Sequence, residues 1–329
     1  MMTALRLPPV EQRHRAHRSW ADEALNAPVG NLFDFLIKDP AKDGLNAGVG
    51  FPQHWTDRLD DLLALPGDMR RHALVMLGFQ INWLFTIDPG WTKRQLLSHV
   101  GDGGPDGDAL WDGILWAARP PSRLLYPEVK EALLVRATKP GRRQGSTILA
   151  GFLLAGWASD VIKGEHFISD IELREVLIHS DDELRERLVW QLKRWCADPD
   201  SPWRDRIVPF FEKVWPKQRA LRAPAMSSAL ANFALASGDL MPTLVPLILP
   251  RLVAVRNTLL RFEYLGETAG DHVARAYPAA TLDLLWAVLG EDSSSWPYRI
   301  ERTLELLAQA PETASDSRLS ELRRRLDLP

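Results

Sequence analysis

A chain of 329 residues, 46% hydrophobic and 25% charged, has the composition of a folded globular protein of one extended or two compact domains. That composition excludes a disordered, collagenous or disulfide-built chain. Its 40 basic and 43 acidic side chains leave a formal charge of -3, too balanced to hold a polyanion through a global field, so bulk nucleic-acid binding is not expected.

Residues 1–10 carry Arg6 and a Pro8-Pro9 pair but no apolar run of a secretory signal, which predicts a cytoplasmic protein. Residues 11–25 predict a polar helix and 32–37 a short apolar one. Residues 39–51, rich in Gly, Asp and Lys, have little periodicity and place a boundary near residue 53, between an N-terminal segment (1–53) and a helical domain (54–329). From there, apolar residues recur at three- and four-residue spacings over 54–65, 68–86, 91–100, 108–118 and 127–137, the pattern of amphipathic helices. The runs 148–158 and 240–255 are the most apolar. Both fall short of the roughly 20 residues that cross a bilayer, and the second is interrupted by Pro242, Pro246 and Pro250, so each predicts a buried helix and no membrane partner.

Further helices are predicted over 169–178, 181–196, 202–214, 223–236, 280–289 and 298–310, with a charged capping helix in 315–329. Ser180 with Glu183 three residues on reads as the capping box of the helix at 181. Its lone Cys196 cannot close an internal disulfide and reads as a small buried apolar residue in a reducing compartment.

The breaks are short and carry Pro, Gly or Asp: Leu65-Pro66-Gly67-Asp68, Asp88-Pro89-Gly90, Arg119-Pro120-Pro121-Ser122, Asp198-Pro199 and Trp215-Pro216. Proline cannot continue a helix interior and suits a first turn, so these are corners between antiparallel helices. The segment Trp83 to Trp91, which crosses Asp88-Pro89, is echoed by Trp195, Asp198-Pro199 and Trp203. A weaker echo pairs Trp116 and Arg119-Pro120 with Trp215-Pro216 and Arg219. The predicted fold is therefore all-α, an irregular HEAT-like α-solenoid of antiparallel helical pairs, with Trp91, Trp203 and Trp215 as structural anchors in its seams.

Chemical motifs are sparse. His14 and His17 share a helical spacing, but Arg13, Arg15 and Arg18 surround them and repel a cation. The loop Gly101 to Asp108 holds three carboxylates yet has Gly104 where an EF-hand needs an oxygen ligand, which leaves a corner with Asp108 capping the next helix. The stretch Lys139 to Thr147 lacks the spacing and the preceding strand of a phosphate loop. No metal, cofactor or catalytic residue is predicted. The basic corner Lys139, Arg142 and Arg143 and the patch Lys217, Arg219 and Arg222 are instead candidates for partner binding. The second patch meets no acidic residue before Asp239.

The motifs Pro202-Trp203-Arg204-Asp205-Arg206-Ile207-Val208-Pro209-Phe210-Phe211, Val214-Trp215-Pro216-Lys217-Gln218-Arg219 and Ala236-Ser237-Gly238-Asp239-Leu240-Met241-Pro242 resemble the helical C-terminal region of large bacterial sirtuin-like proteins implicated in anti-phage defence. In that family a separate N-terminal domain cleaves NAD and the helical part senses or scaffolds. No Gly-rich nucleotide fold occurs here, so the resemblance implies the sensor half alone, with its effector elsewhere and a protein as partner. A stand-alone hydrolase or nucleotide-dependent enzyme with an unrecognised site is the alternative, and a concave pocket with perturbed titratable groups is the feature that would favour it.

Overall fold

The computed structural model describes residues 19–139, 145–160, 166–256, 260 and 273–326. Among them the secondary structure is helical, with no named strand and one isolated parallel bridge, Val255 to Leu289. Two compact units, Met1–Gly156 and Trp157–Pro329, divide the chain. The expected boundary near residue 53 falls inside the first.

The first unit runs through α1 (Trp20–Leu25), α2 (Pro28–Ile37), α3 (Gln53–Leu63), α4 (Gly67–Phe79), α5 (Ile81–Ile87), α6 (Pro89–Gln95), α7 (Pro105–Trp116), α8 (Tyr126–Ala137) and α9 (Ser146–Trp157). Every residue of α4 from His72 to Gly78 is buried, and a helix buried all round is central. Helices α1, α2, α3 and α7 each pack on it. The α4–α7 crossing is the closest. A Cβ on Gly78 would meet the Leu110 carbonyl at 2.5 Å, and one on Gly113 would overlap the Val75 carbonyl, so only glycine on both sides lets the backbones approach this far.

The long helix expected over 68–86 breaks at Gln80, whose φ of -101° and ψ of 10° leave the helical region. Asn82, just beyond, accepts from the Ser122 N–H at 2.7 Å and donates to the Pro120 carbonyl at 3.1 Å, so a distant corner holds α5 in its own direction. Residues 45–51 are structured: Gly48 and Gly50 donate to the Thr86 and Ile87 carbonyls, and the Phe51 N–H reaches Asp88. Asp108 sits within the first turn of α7 and not at its cap, which is Gly104, and it faces Arg136 at 3.5 Å.

The second unit holds α10 (Asp170–His179), α11 (Asp182–Ala197), α12 (Pro224–Leu235), α13 (Met241–Ile248), α14 (Pro278–Val288), α15 (Ile300–Gln309) and α16 (Ser317–Arg325). Helix α11 packs on α12, α12 on α13 and α14, and α14 on α16. The cap of α11 is Asp181, which accepts the Leu184 N–H at 2.9 Å. Ser180 closes α10 instead and donates to the Leu177 carbonyl, so the expected serine capping box does not form. The helix expected over 202–214 is shorter and less regular: a 3-10 turn at Arg204–Arg206, one α-turn at Ile207–Pro209, and a π-helical turn at Phe210–Val214 that packs on α10.

No single helix among the described residues is long and apolar enough to cross a membrane. The pair Pro224–Leu235 and Gly238–Arg251, bent by 115°, meets the length and composition of a broken span. Burial of its apolar side chains within the unit, from Met226 and Leu230 to Leu244 and Ile248, accounts for that composition.

Candidate functional site

The corner that joins the π-helical turn to α12 is set by two prolines. Pro216 excludes the α region for Trp215, which adopts φ -60° and ψ 129°, and Pro224 does the same for Ala223 at φ -125° and ψ 149°. Between them residues 217–223 run extended except for the 3-10 turn Arg219–Leu221. Lys217 and Arg219 are exposed and Arg222 is half-buried.

The π-helical turn beneath has an unusual end. Its closing bond runs from the Trp215 N–H to the Phe210 carbonyl at 2.8 Å, and the next one would need an N–H from Pro216, which proline does not have. The Phe211 carbonyl is therefore left over, and Arg251 takes it, donating from Nη2 at 2.9 Å. The Lys213 carbonyl is capped in the same way by Arg174, whose Nε lies at 2.9 Å. Two arginines from distant segments thus satisfy the orphan acceptors of one turn.

Arg251 ends the short 3-10 turn Leu249–Arg251 that follows α13, and it is only 9% exposed. Its Nε has no hydrogen-bond partner, and among the described residues no carboxylate lies within ion-pair distance of it. Burial pulls its pKa below the ordinary arginine value, the mark of a cation taken out of water without a countercharge.

A pocket of about 410 Å³ opens here. Lys217, Arg222 and Arg251 supply its cations and Glu212 its carboxylate, while Pro246, Leu247 and Pro250 form an apolar wall with the fully buried Phe211 behind it. The sequence-predicted patch is thereby divided: Lys217 and Arg222 face the pocket, and Arg219 stays on the exposed corner outside its lining. Sequence reasoning missed Arg251, Pro246 and Pro250. The signal was present in the spacing of Pro242, Pro246 and Pro250, which at intervals of four lie along one helical face that ends next to Arg251.

The other basic corner lies in the first unit. Lys139 is exposed just past α8, and Arg142 and Arg143 lie outside the described residues, as do His14 and His17. The carboxylates of the loop 101–108 have separate partners: Asp102 meets His99 at 2.9 Å, Asp106 meets Arg70 and Arg71, and Asp108 faces Arg136. Among the described residues no group of three or more His, Cys, Asp or Glu could hold a metal ion.

The three tryptophan anchors differ. Trp91 is buried, donates from Nε1 to Asp60 at 2.9 Å and meets Phe51 edge-on with 5.8 Å between ring centroids. Trp215 is buried beside Phe210 and Phe211. Trp203 is only half-buried, stacked on Trp195 at 5.6 Å and 24°.

Comparison with known proteins adds one relative. A protein of Sinorhizobium fredii described as uncharacterized protein y4cA is 26% identical over 170 residues, which are 50% of this chain and 14% of that protein. The chain thus matches a small part of a longer relative. No family model matches, and no solved structure does.

Proposed function

We propose that the chain is a non-catalytic helical interaction and sensor module, acting in the cytoplasm with a separate effector in the setting of bacterial anti-phage defence that its sirtuin-like motifs suggest. The observation that carries this reading is the cationic corner 217–222. Its three basic side chains are held on a rigid base of two X-Pro junctions and a doubly capped turn, and among the described residues none of them is paired with a carboxylate. Positive charge displayed this way raises the encounter rate and specificity for an acidic partner surface. Helices α12, α13 and α14, each packed on the next, fit a HEAT-like stack of pairs in the second unit. The relative whose matched segment is 14% of a longer chain supports the idea that such a helical region works beside other domains.

The product of a neighbouring gene is the partner to test. Lys217→Glu with Arg219→Glu should leave the melting temperature nearly unchanged, because both side chains are exposed, and should weaken a salt-sensitive association by about tenfold or more. Undiminished association of the doubly reversed protein at every salt concentration would return these residues to ordinary solvated surface.

A further inference from the structure

The pocket beside the corner asks for a ligand of its own. Its three cations stand against one carboxylate, Glu212, and leave two positive charges in excess. Arg251 is the most telling of them: it is nine-tenths buried, lines the pocket, spends one nitrogen on the Phe211 carbonyl, and meets no carboxylate among the described residues. A buried cation without a countercharge is costly, and such a cost is offset where a bound anion supplies the charge. The fork of a guanidinium suits two oxygens of one tetrahedral anion better than a point charge would.

We propose that this pocket binds a small phosphate monoester with an aromatic or similarly flat apolar body. A phosphate monoester carries roughly -1.5 to -2 at neutral pH, which balances the excess charge, whereas a carboxylate would leave one cation uncompensated. The volume of about 410 Å³ lies in the range of small-molecule sites and is far more than a free phosphate fills. The remaining space is bounded by Pro246, Leu247 and Pro250, an apolar wall that a flat body can cover. Pro246 and Pro250 add rigidity, since their fixed φ leaves little to reorganise on binding. The π-helical geometry of Phe211 and Glu212 belongs to the kind of local irregularity that recurs at functional positions.

The inference rests on the sensor reading for what the ligand does and not for whether it binds. The test is calorimetric titration of the full chain with phenyl phosphate, inorganic phosphate and benzoate. Phenyl phosphate should bind saturably, more tightly than either of the others and more weakly as salt rises. Arg222→Ala, at a half-buried position of the lining, should weaken it about tenfold with the melting temperature followed alongside, and Arg251→Met by about tenfold to a hundredfold. Arg219→Glu, outside the pocket, should leave it intact, so a failure of the partner reading and a failure of the pocket are separable. The proposal is overturned by no saturable binding of phenyl phosphate, by equal affinity for inorganic phosphate, by unchanged affinity in Arg222→Ala, or by a phosphoserine peptide that binds more tightly than phenyl phosphate.

Discussion

The two units solve the same packing problem differently. In the first, α4 is wrapped on several sides, backbones touch through Gly78 and Gly113, and polar groups close on one another: Asp88 caps α6 at the Trp91 N–H, and the Trp91 indole meets Asp60. In the second, a helix carries an internal proline, a turn widens to π geometry, and a buried arginine caps a main-chain carbonyl of that turn. These three irregularities lie side by side, at the pocket.

That contrast can be broken most directly at the tryptophans. Trp91→Ala removes a fully buried indole and its bond to Asp60, and should cost about 3 to 5 kcal/mol in denaturant unfolding. Trp203→Ala, at the half-buried stack on Trp195, should cost well under half as much. Equal losses at the two sites would remove the distinction between a packed seam and a surface stack.

The glycine crossing sharpens the same point on a smaller scale. Gly113→Ala drives a methyl into the Val75 backbone, and overpacking of this kind typically costs about 1 to 3 kcal/mol. Gly151→Ala, within α9 with nothing near the added methyl, should instead stabilise by about 0.5 to 1 kcal/mol. A shared sign for the two variants would show that chain entropy and not close approach governs the crossing.

The smallest effect concerns the sole thiol of the chain. Cys196 is buried against the Ser237 carbonyl, and burial pushes its pKa up, so at pH 7.5 it should label with iodoacetamide far more slowly than a free thiol. Trp215→Ala, which empties the space beside Phe210 and Phe211, should speed that labelling by loosening the second unit. Rapid labelling of the unaltered protein would mean that this core opens readily without any substitution.

How much of this was legible in the sequence follows from where each cause resides. Helices and corners were, because their causes are local: proline at Asp88-Pro89 and at Trp215-Pro216 ends or starts a helix whatever surrounds it. The break at Gln80 was not, because Asn82 is held by Ser122 and Pro120, forty residues away. The capping of α11 was misassigned by one residue, since Ser180 and Asp181 are both competent caps and the end of α10 claims the first. The cationic corner was visible as a run of charge. The proline spacing pointed to the face that ends at Arg251 but not to its burial, because a single arginine after an apolar run reads as an exposed end and its burial follows from a carbonyl that Pro216 leaves open.

The proline spacing of α13 also bears on the order in which the protein assembles. Pro246 and Pro250 contribute no N–H, so the carbonyls of Pro242 and Pro246 receive no donor from the following turn and the helix lacks part of its own ladder. Such a segment gains little from nucleating alone, where each residue fixed must be matched by a bond. It is therefore expected to form late, as α12 and α14 close over Leu244, Val245 and Ile248, so the wall of the pocket becomes ordered only after the helices on either side of it have met.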